Sequence, residues 1–168
     1  MEIERKYLIR HLPDHLEQYP CRQIEQAYLS VNPVVRVRRD DASYYLTYKG
    51  AGLMIREEYN LPLTKEAYHH LLEKADGVVI TKKRYQIPYQ NHTIELDLFE
   101  GVYEGLTLAE VEFATEEDAD HFDPPDWFRE EVTFDGHYHN SYMAVVLRAY
   151  RAKRNAEFAS LGDSLPNK

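Results

Sequence analysis

Charged side chains recur at every second position in seven segments of this chain, and that alternation limits the folds open to it. Successive side chains on a β-strand point to opposite faces of the sheet, so the charged residues of each segment share one face. Apolar residues such as Val37 and Leu96 occupy positions between them. The alternating polar positions are, in chain order, Glu2, Glu4 and Lys6; Arg36 and Arg38; Thr47 and Lys49; Arg56, Glu58 and Asn60; Lys82 and Arg84; Glu95 and Asp97; Glu110 and Glu112.

The order of the charges along the chain bears on whether the polar face is enclosed. For any one segment, a face turned to solvent is the simpler interpretation, because antiparallel sheets often have one solvated side. A solvated face usually mixes polar residue types. Here the segments that begin at Glu2, Glu95 and Glu110 are mainly acidic, and those that begin at Arg36, Thr47 and Lys82 are basic. This segregation favours an inward charged face, with carboxylates on one wall and cations on the other.

Turn signals divide the chain into eight strand-like segments and a few helices. The predicted strands are 2–9, 24–31, 34–40, 44–49, 55–61, 79–89, 93–99 and 107–113. Three helices are predicted. The first covers 65–75 with Thr64 as N-cap, the second is a short acidic helix capped by Thr115, and the third covers about 141–159. The length predicts a single domain over 1–168.

The number of strands and their short connections predict the architecture. We expect an α+β fold: an eight-stranded antiparallel closed β-barrel (a tunnel) with a charged lumen and helices packed outside. Eight strands close into a barrel just wide enough to hold one small ligand. Closure brings the eighth strand beside the first, which gathers the carboxylates on one side of the lumen.

Composition excludes several classes of protein. The formal net charge is −9, whereas a protein that binds a nucleic acid polymer needs a basic surface. No apolar run approaches the roughly 20 residues of a membrane helix. The charged residues 2–6 do not resemble a signal peptide, and the single cysteine, Cys21, has no intramolecular disulfide partner. We expect a cytoplasmic protein without nucleic acid or membrane partners.

A lumen with walls of opposite charge has a specific chemical use. Carboxylate oxygens bind hard cations such as Mg²⁺ or Mn²⁺. Guanidinium and ammonium groups bind phosphate oxygens. A metal-bridged oligophosphate needs both kinds of wall, and the local field allows an acidic protein to hold a highly charged anion. The sequence therefore predicts a metal-bridged oligophosphate as ligand.

The same residues, in the same order, resemble the signature of the CYTH superfamily, the triphosphate tunnel metalloenzymes. The opening Glu2-Ile3-Glu4-Arg5-Lys6 is similar to the E-x-E-x-K signature of that superfamily. The later matches are, in chain order, Arg36-Val37-Arg38, Thr47-Tyr48-Lys49, Arg56-Glu57-Glu58, Lys82-Lys83-Arg84, Glu95-Leu96-Asp97 and Glu110-Val111-Glu112. The resemblance covers about residues 1–144. Asn60, where many members have an acid, and His137, where a basic residue is usual, depart from the pattern.

The resemblance implies a role for each matched position. The resemblance implies two bound ions, Mg²⁺ or Mn²⁺. Glu2, Glu4 and Glu112 would hold the first, and Asp97 and Glu110 would support it or bind the second. The residues implied in gripping the triphosphate are Lys6, Arg36, Arg38, Lys49, Arg56, Lys82 and Arg84. Lys82, together with Tyr28, would assist activation of the attacking water.

Several functions are compatible with this resemblance. The leading expectation is a metal-dependent triphosphatase that converts inorganic tripolyphosphate to pyrophosphate and phosphate, because no base-recognition motif is visible. The alternatives are a class IV-type adenylate cyclase, a thiamine or nucleoside triphosphatase, and polyphosphate binding without cleavage. A zinc site is not expected: His137 and His139 lie in a polar loop without a cysteine pair, and we interpret them as surface residues.

Overall fold

The computed structural model describes residues 1–146 of the chain. The strands in this part are β1 (Glu2–Ile9), β2 (Cys21–Val31), β3 (Val34–Asp40), β4 (Ser43–Lys49), β5 (Ile55–Arg56), β6 (Glu58–Pro62), β7 (Asp76–Tyr89), β8 (His92–Phe99), β9 (Thr107–Glu112) and β10 (Phe128–Glu131). The α-helices are α1 (Lys65–Leu72) and α2 (Glu116–Asp120), and residues 140–146 are also helical. Single turns of 3₁₀-helix occur at Leu16–Gln18, Gly101–Tyr103 and Gly136–Tyr138. No helix within residues 1–146 has the length and apolar character needed to cross a bilayer.

All strand pairs are antiparallel, and the sheet curls into a nearly closed barrel. The hydrogen-bonded order is β10-β1-β9-β8-β7-β2-β3-β4-β6, and β5 pairs with β1. Only Glu57 separates β5 from β6. The continuous segment 55–62 therefore bridges two strands: its β5 part pairs with β1 and its β6 part pairs with β4. The expected closure is confirmed, since β1 pairs with β9 and Glu4 lies opposite Glu112. The antiparallel barrel with outer helices is therefore confirmed.

The strand count differs from the eight that the sequence predicts, because ten strands form within residues 1–146. The predicted strand 55–61 is divided at Glu57, since its two halves bond to different neighbours. The strand β10 has no counterpart in the prediction, because its sequence lacks alternation. Only its pairing with β1, where Glu131 lies opposite Tyr7, makes it a strand.

Several element boundaries also shift. The strands β2 and β7 begin three residues before the predicted 24 and 79, at Cys21 and Asp76, and α1 ends at Leu72 instead of 75. Both predicted N-caps are confirmed: the side chain of Thr64 accepts a hydrogen bond from the backbone of α1, and that of Thr115 does so for α2. The predicted helix 141–159 begins at residue 140, and its part after 146 lies outside the described residues.

Apolar side chains on the outer face of the barrel are covered by the helices and by β10. Tyr68 of α1 is fully buried against Val37 of β3. Phe122, which follows α2, and Phe128 of β10 stack on Tyr7 with ring centroids 6.1 and 4.7 Å away. Burial of such a side chain is worth about 1.5–3 kcal/mol. The outer face is thus the apolar one, which leaves the charged face for the lumen.

At one end of the barrel the inner face changes from charged to apolar. The side chains that make this change, on β1, β7, β8 and β9, are Leu8, Ile80, Phe99 and Leu108. Met143 and Ala144, from the helical residues 140–146, pack against them. Close packing leaves no water-sized passage in such a cluster. The lumen is therefore sealed at this end.

Gly77 lies directly against the helical residues 140–146 that form part of this seal. It has a φ of +78°, and a Cβ atom there would lie 2.2 Å from the carbonyl oxygen of Ala144. We expect Gly77→Ala to lower the free energy of unfolding by at least about 2 kcal/mol, because left-handed strain alone costs about 1–3 kcal/mol. Gly105→Ala is the matched control, since Gly105 also has a positive φ but an added Cβ would meet nothing within 4 Å. Urea unfolding of both variants measures the difference, and equal losses would contradict the close contact.

Candidate active site

The barrel encloses a cavity of about 190 Å³ whose walls are almost entirely polar. Its acidic side chains are Glu2, Glu4, Asp40, Glu58, Glu95, Glu110 and Glu112. Its basic side chains are Lys6, Arg22, Arg36, Arg38, Lys49, Arg56, Lys82 and Arg84. The strand alternation read from the sequence therefore places both charges in one lumen.

Glu4 and Glu112 lie directly opposite each other on β1 and β9. At such a position the Cβ atoms are about 4.5–5.5 Å apart, so like charges repel. The cation nearest to Glu4 within the described residues is Lys6, with Nζ 3.9 Å from Oε1. Burial raises the pKa of Glu112, as do the neighbouring carboxylates Glu58 and Glu4. Uncompensated negative charge is thus concentrated between β1 and β9.

Glu2 lies where the acidic and basic walls meet. Lys49 Nζ donates to both of its carboxylate oxygens, at 2.7 and 2.8 Å, and Arg56 Nε donates at 3.3 Å. Lys49 also pairs with Glu58 at 2.9 Å. Burial and the charge of Glu4 raise the pKa of Glu2, whereas Lys49 outweighs burial at Glu58 and lowers its pKa to about 2. Lys49 therefore forms ion pairs with two carboxylates, those of Glu2 and Glu58.

Arg84 contacts three carboxylates at the other junction of the walls. It donates to both oxygens of Asp97, at 2.6 and 2.7 Å, to Glu110 at 2.6 Å, and to Glu95. Lys82 Nζ also donates to Asp97, at 2.5 Å. Burial would raise the pKa of Asp97, but Arg84 and Lys82 keep it below its ordinary value. Asp97 is therefore a buried anion with both oxygens occupied.

Lys82 is fully buried and has an unusual pKa. Burial, followed by the charge of Arg84, lowers that pKa from 10.5 to about 8, against the opposing effect of Asp97. Its side chain lines the same cavity as Tyr28. A lysine with a pKa near 8 exchanges its proton readily at neutral to mildly alkaline pH, as proton-transfer groups in enzymes do.

Arg36 and Arg38 are buried guanidinium groups that form no ion pair within residues 1–146. Arg36 Nε lacks any hydrogen-bond partner there. Burial lowers the pKa of Arg38, and the charges of Arg36 and Arg84 lower it further. Buried charges in proteins are ordinarily paired. Two adjacent guanidinium groups without a carboxylate partner in the described residues are suited to binding an anionic ligand.

The structure brings the predicted site residues into one cavity, apart from Asp97. Those that line it are Glu2, Glu4, Lys6, Tyr28, Arg36, Arg38, Lys49, Arg56, Lys82, Arg84, Glu110 and Glu112. Asp97 was expected to contact a metal ion but lies behind Lys82 and Arg84, outside the cavity lining. Inner-face alternation alone does not distinguish a residue that reaches the cavity from one that another side chain covers.

Sequence reasoning also missed several residues of the cavity wall. Glu58 was expected on the inner face but was given no role, and Asp40 continues the alternation of its strand, so a signal for both was available. His139, interpreted as a surface residue, is half-buried in the cavity wall, and its Nε2 lies 3.1 Å from the carbonyl oxygen of Thr133. No periodic pattern marks a loop residue of this kind. His137 is exposed, as expected.

The acidic wall has a donor set that fits a hard divalent ion. Within residues 1–146, no three histidine, cysteine, aspartate or glutamate side chains already stand in a metal-ligating arrangement. The donor set nevertheless fits, because Glu4 and Glu112 face each other, Lys6 approaches Glu4 no closer than 3.9 Å, and Glu2 lies on the same strand as Glu4. Carboxylate oxygens are the ligands that Mg²⁺ prefers in proteins.

The nearly closed barrel and its lumen of opposed charges define a charged-tunnel protein. The chain belongs to the CYTH domain family, whose model matches residues 1–150. It is 36% identical to an inorganic triphosphatase of Nitrosomonas europaea over 149 residues, which is 87% of this chain and 98% of the relative. It is 40% identical to an inorganic triphosphatase of Acetivibrio thermocellus over 114 residues, 65% of this chain and 70% of the relative. A crystal structure of an inorganic triphosphatase matches with a TM-score of 0.65 and 33% identity, covering 86% of this chain and 95% of that one.

Proposed function

We propose that this protein is a metal-dependent inorganic triphosphatase that converts tripolyphosphate to pyrophosphate and phosphate. The observation that carries the proposal is that two buried arginines without a carboxylate partner, Arg36 and Arg38, share one cavity with the opposed carboxylates Glu4 and Glu112. A polyphosphate would satisfy the arginines, and its bound divalent ion would satisfy the carboxylates. The relatives from Nitrosomonas europaea and Acetivibrio thermocellus, both named inorganic triphosphatase, support the same substrate.

The size of the cavity suits a phosphate chain without an attached organic group. Pockets that enclose drug-sized ligands measure about 300–1,000 Å³, whereas this cavity is about 190 Å³. Adenine or thiamine attached to the phosphates would therefore have to lie outside it. The adenylate cyclase and the thiamine or nucleoside triphosphatase remain as alternatives for a substrate screen, as does binding without cleavage.

The basic wall would bind the phosphate chain. Arg36 and Arg38 have no carboxylate partner and would donate their remaining N–H groups to its oxygens. Lys49 and Arg56 would release Glu2 and bind phosphate as the substrate enters. The other proposed phosphate ligands are Lys6, Lys82 and Arg84. Preorganised cations of this kind stabilise the charge that develops as a phosphoryl group is transferred.

The acidic wall would hold divalent ions. Glu4, Glu112 and, once released by Lys49, Glu2 are proposed to bind the first ion. Glu110 is proposed to contribute to a second, although Lys6 at 2.8 Å and Arg84 at 2.6 Å now occupy it. When bound, Mg²⁺ or Mn²⁺ would polarise the phosphate oxygens and neutralise their charge. Asp97 is proposed to position Lys82 and Arg84 and not to contact an ion.

The chemical step requires a proton acceptor. Water oxygen bonds to the terminal phosphorus, the bond from that phosphorus to the bridging oxygen breaks, and pyrophosphate leaves with the bridging oxygen. Neutral Lys82 would accept the proton that the water loses, since its pKa is about 8. Tyr28, on the neighbouring strand β2, would hold the same water by a hydrogen bond.

The cellular setting is proposed from the sequence. The acidic composition and the single cysteine, which is exposed, favour the cytoplasm, where thiols stay reduced. The ligand groups lie inside a barrel that is sealed at one end, so a small triphosphate fits them better than a nucleic acid polymer or a membrane surface would.

The substrate proposal is tested by a phosphate-release screen on the purified chain. Tripolyphosphate, ATP and thiamine triphosphate are each supplied with Mg²⁺ or Mn²⁺, and cyclic AMP is measured alongside. We expect the highest kcat/KM with tripolyphosphate and no cyclic AMP. Faster turnover of ATP or thiamine triphosphate would replace the proposed substrate. Binding of tripolyphosphate without phosphate release would replace the enzyme by a binding protein.

A further inference from the structure

Gln26 lies on the inner side of β2 and is fully buried behind the cavity wall. Its Oε1 accepts a hydrogen bond from Arg38 Nε at 2.9 Å, and its Nε2 donates to the hydroxyl oxygen of Tyr28 at 3.0 Å. Arg38 and Tyr28 both line the cavity, whereas Gln26 does not. Any effect of Gln26 on a bound ligand therefore acts through these two neighbours.

The orientation of the Gln26 amide is fixed by chemistry. An arginine side chain has only donors, so the atom that faces Arg38 must be the amide oxygen. The amide nitrogen then faces Tyr28 and donates to its hydroxyl oxygen. Because that oxygen acts as an acceptor here, the hydroxyl hydrogen of Tyr28, whose side chain lines the cavity, remains available to another acceptor. Gln26 thus orients a donor as well as a cation.

The partner of Arg38 differs in kind from the partners of other cations in this wall. Lys49 pairs with Glu2, Lys6 with Glu110, and Arg84 with Asp97, so each is held by a carboxylate. Arg38 is held instead by a neutral amide. A carboxylate would fix the same geometry but would also neutralise the guanidinium charge. The amide supplies the geometry alone.

We propose that Gln26 is a positioning residue, which fixes Arg38 and Tyr28 for the substrate and leaves the positive charge of Arg38 available to phosphate. The kinetic consequence rests on the triphosphatase function proposed above, whereas the consequence for stability does not. The side chain of glutamate has nearly the same shape as that of glutamine. Gln26→Glu would therefore keep the contact with Arg38 and place a carboxylate on it, and the Tyr28 hydroxyl would turn to donate to the second carboxylate oxygen.

The first experiment compares Gln26→Glu with Gln18→Glu, which makes the same charge change at an exposed site. We expect Gln26→Glu to melt at or above the wild-type temperature, because the new carboxylate relieves the crowding of Arg36, Arg38 and Arg84. Its KM for tripolyphosphate should rise about tenfold or more, since a charged hydrogen bond to substrate is weakened. Gln18→Glu should match wild type in both respects.

A second variant separates positioning from a merely structural role. Gln26→Met keeps the length of the side chain and removes both hydrogen bonds, so we expect a lower melting temperature together with a kcat reduced about tenfold or more. Wild-type kcat and KM in both Gln26 variants would overturn the proposal, as would a Gln26→Glu protein that is unfolded or melts lower than wild type. Absence of tripolyphosphate hydrolysis by wild type would instead overturn the function, and the melting comparison would still test the charge argument.

Discussion

Replacement of Glu4 by glutamine is expected to reduce tripolyphosphate turnover by at least about 100-fold, while the barrel stays folded. Glutamine has almost the same shape, and the backbone pairing of β1 with β9 is unaffected. It loses the negative charge that a hard dication requires, and charge stabilisation by a bound metal is worth several kcal/mol. Stability should hold or rise, because the substitution relieves the repulsion between Glu4 and Glu112.

The matched control for Glu4 is Glu57→Gln, an identical change at the exposed residue between β5 and β6. Activity of each tag-free variant is measured across a Mg²⁺ and a Mn²⁺ titration, and folding by circular dichroism. We expect EDTA to stop the wild-type enzyme and either ion to restore it, with Glu57→Gln unchanged. Near-wild-type rates for Glu4→Gln at low metal concentration would contradict a metal-binding role for β1.

Replacement of Lys82 by methionine is expected to lower kcat by about 10²–10⁴-fold, the usual contribution of a proton-transfer group. The fold should tolerate the change, because Asp97 keeps its two hydrogen bonds from Arg84 and no carboxylate is left unpaired. Lys83→Met is the control, since Lys83 is the next residue of β7 and is exposed. A Lys82→Met enzyme with wild-type kcat would exclude Lys82 from the chemical step.

The pH dependence gives a second measurement on Lys82. The wild-type kcat/KM for tripolyphosphate should rise as the pH passes about 8, where Lys82 loses its proton in the folded protein. Lys82→Arg keeps the charge and does not titrate in this range, so this rise should disappear. In the folded state Lys82 binds fewer protons than in the unfolded chain between pH 8 and 10.5, so stability should increase over that interval. A rate that falls above pH 8 would show that Lys82 acts only as a cationic phosphate ligand and would exclude it as the proton acceptor.

The interior of this barrel was largely readable from the sequence, because side-chain direction on a strand is a local property with a period of two. The alternation at Arg36 and Arg38, and at Glu110 and Glu112, is sufficient to place each pair on one face of its strand. The same rule failed for β10, whose four residues have no such pattern and become a strand only through β1. It also failed for His139, since a loop has no periodic direction.

Local sequence was enough to establish which residues face inward, which strands present acidic or basic side chains, and where α1 and α2 begin. Each of these properties depends only on residues a few positions away in the chain. The folded chain was needed to show how the barrel closes through the divided segment at Glu57 and which end the helical residues 140–146 seal. It was also needed to place Asp97 behind the cations and to show that Gln26, not a carboxylate, holds Arg38. Such contacts join residues far apart in the chain, and their distances depend on register, packing and charge across the lumen, which no local pattern encodes.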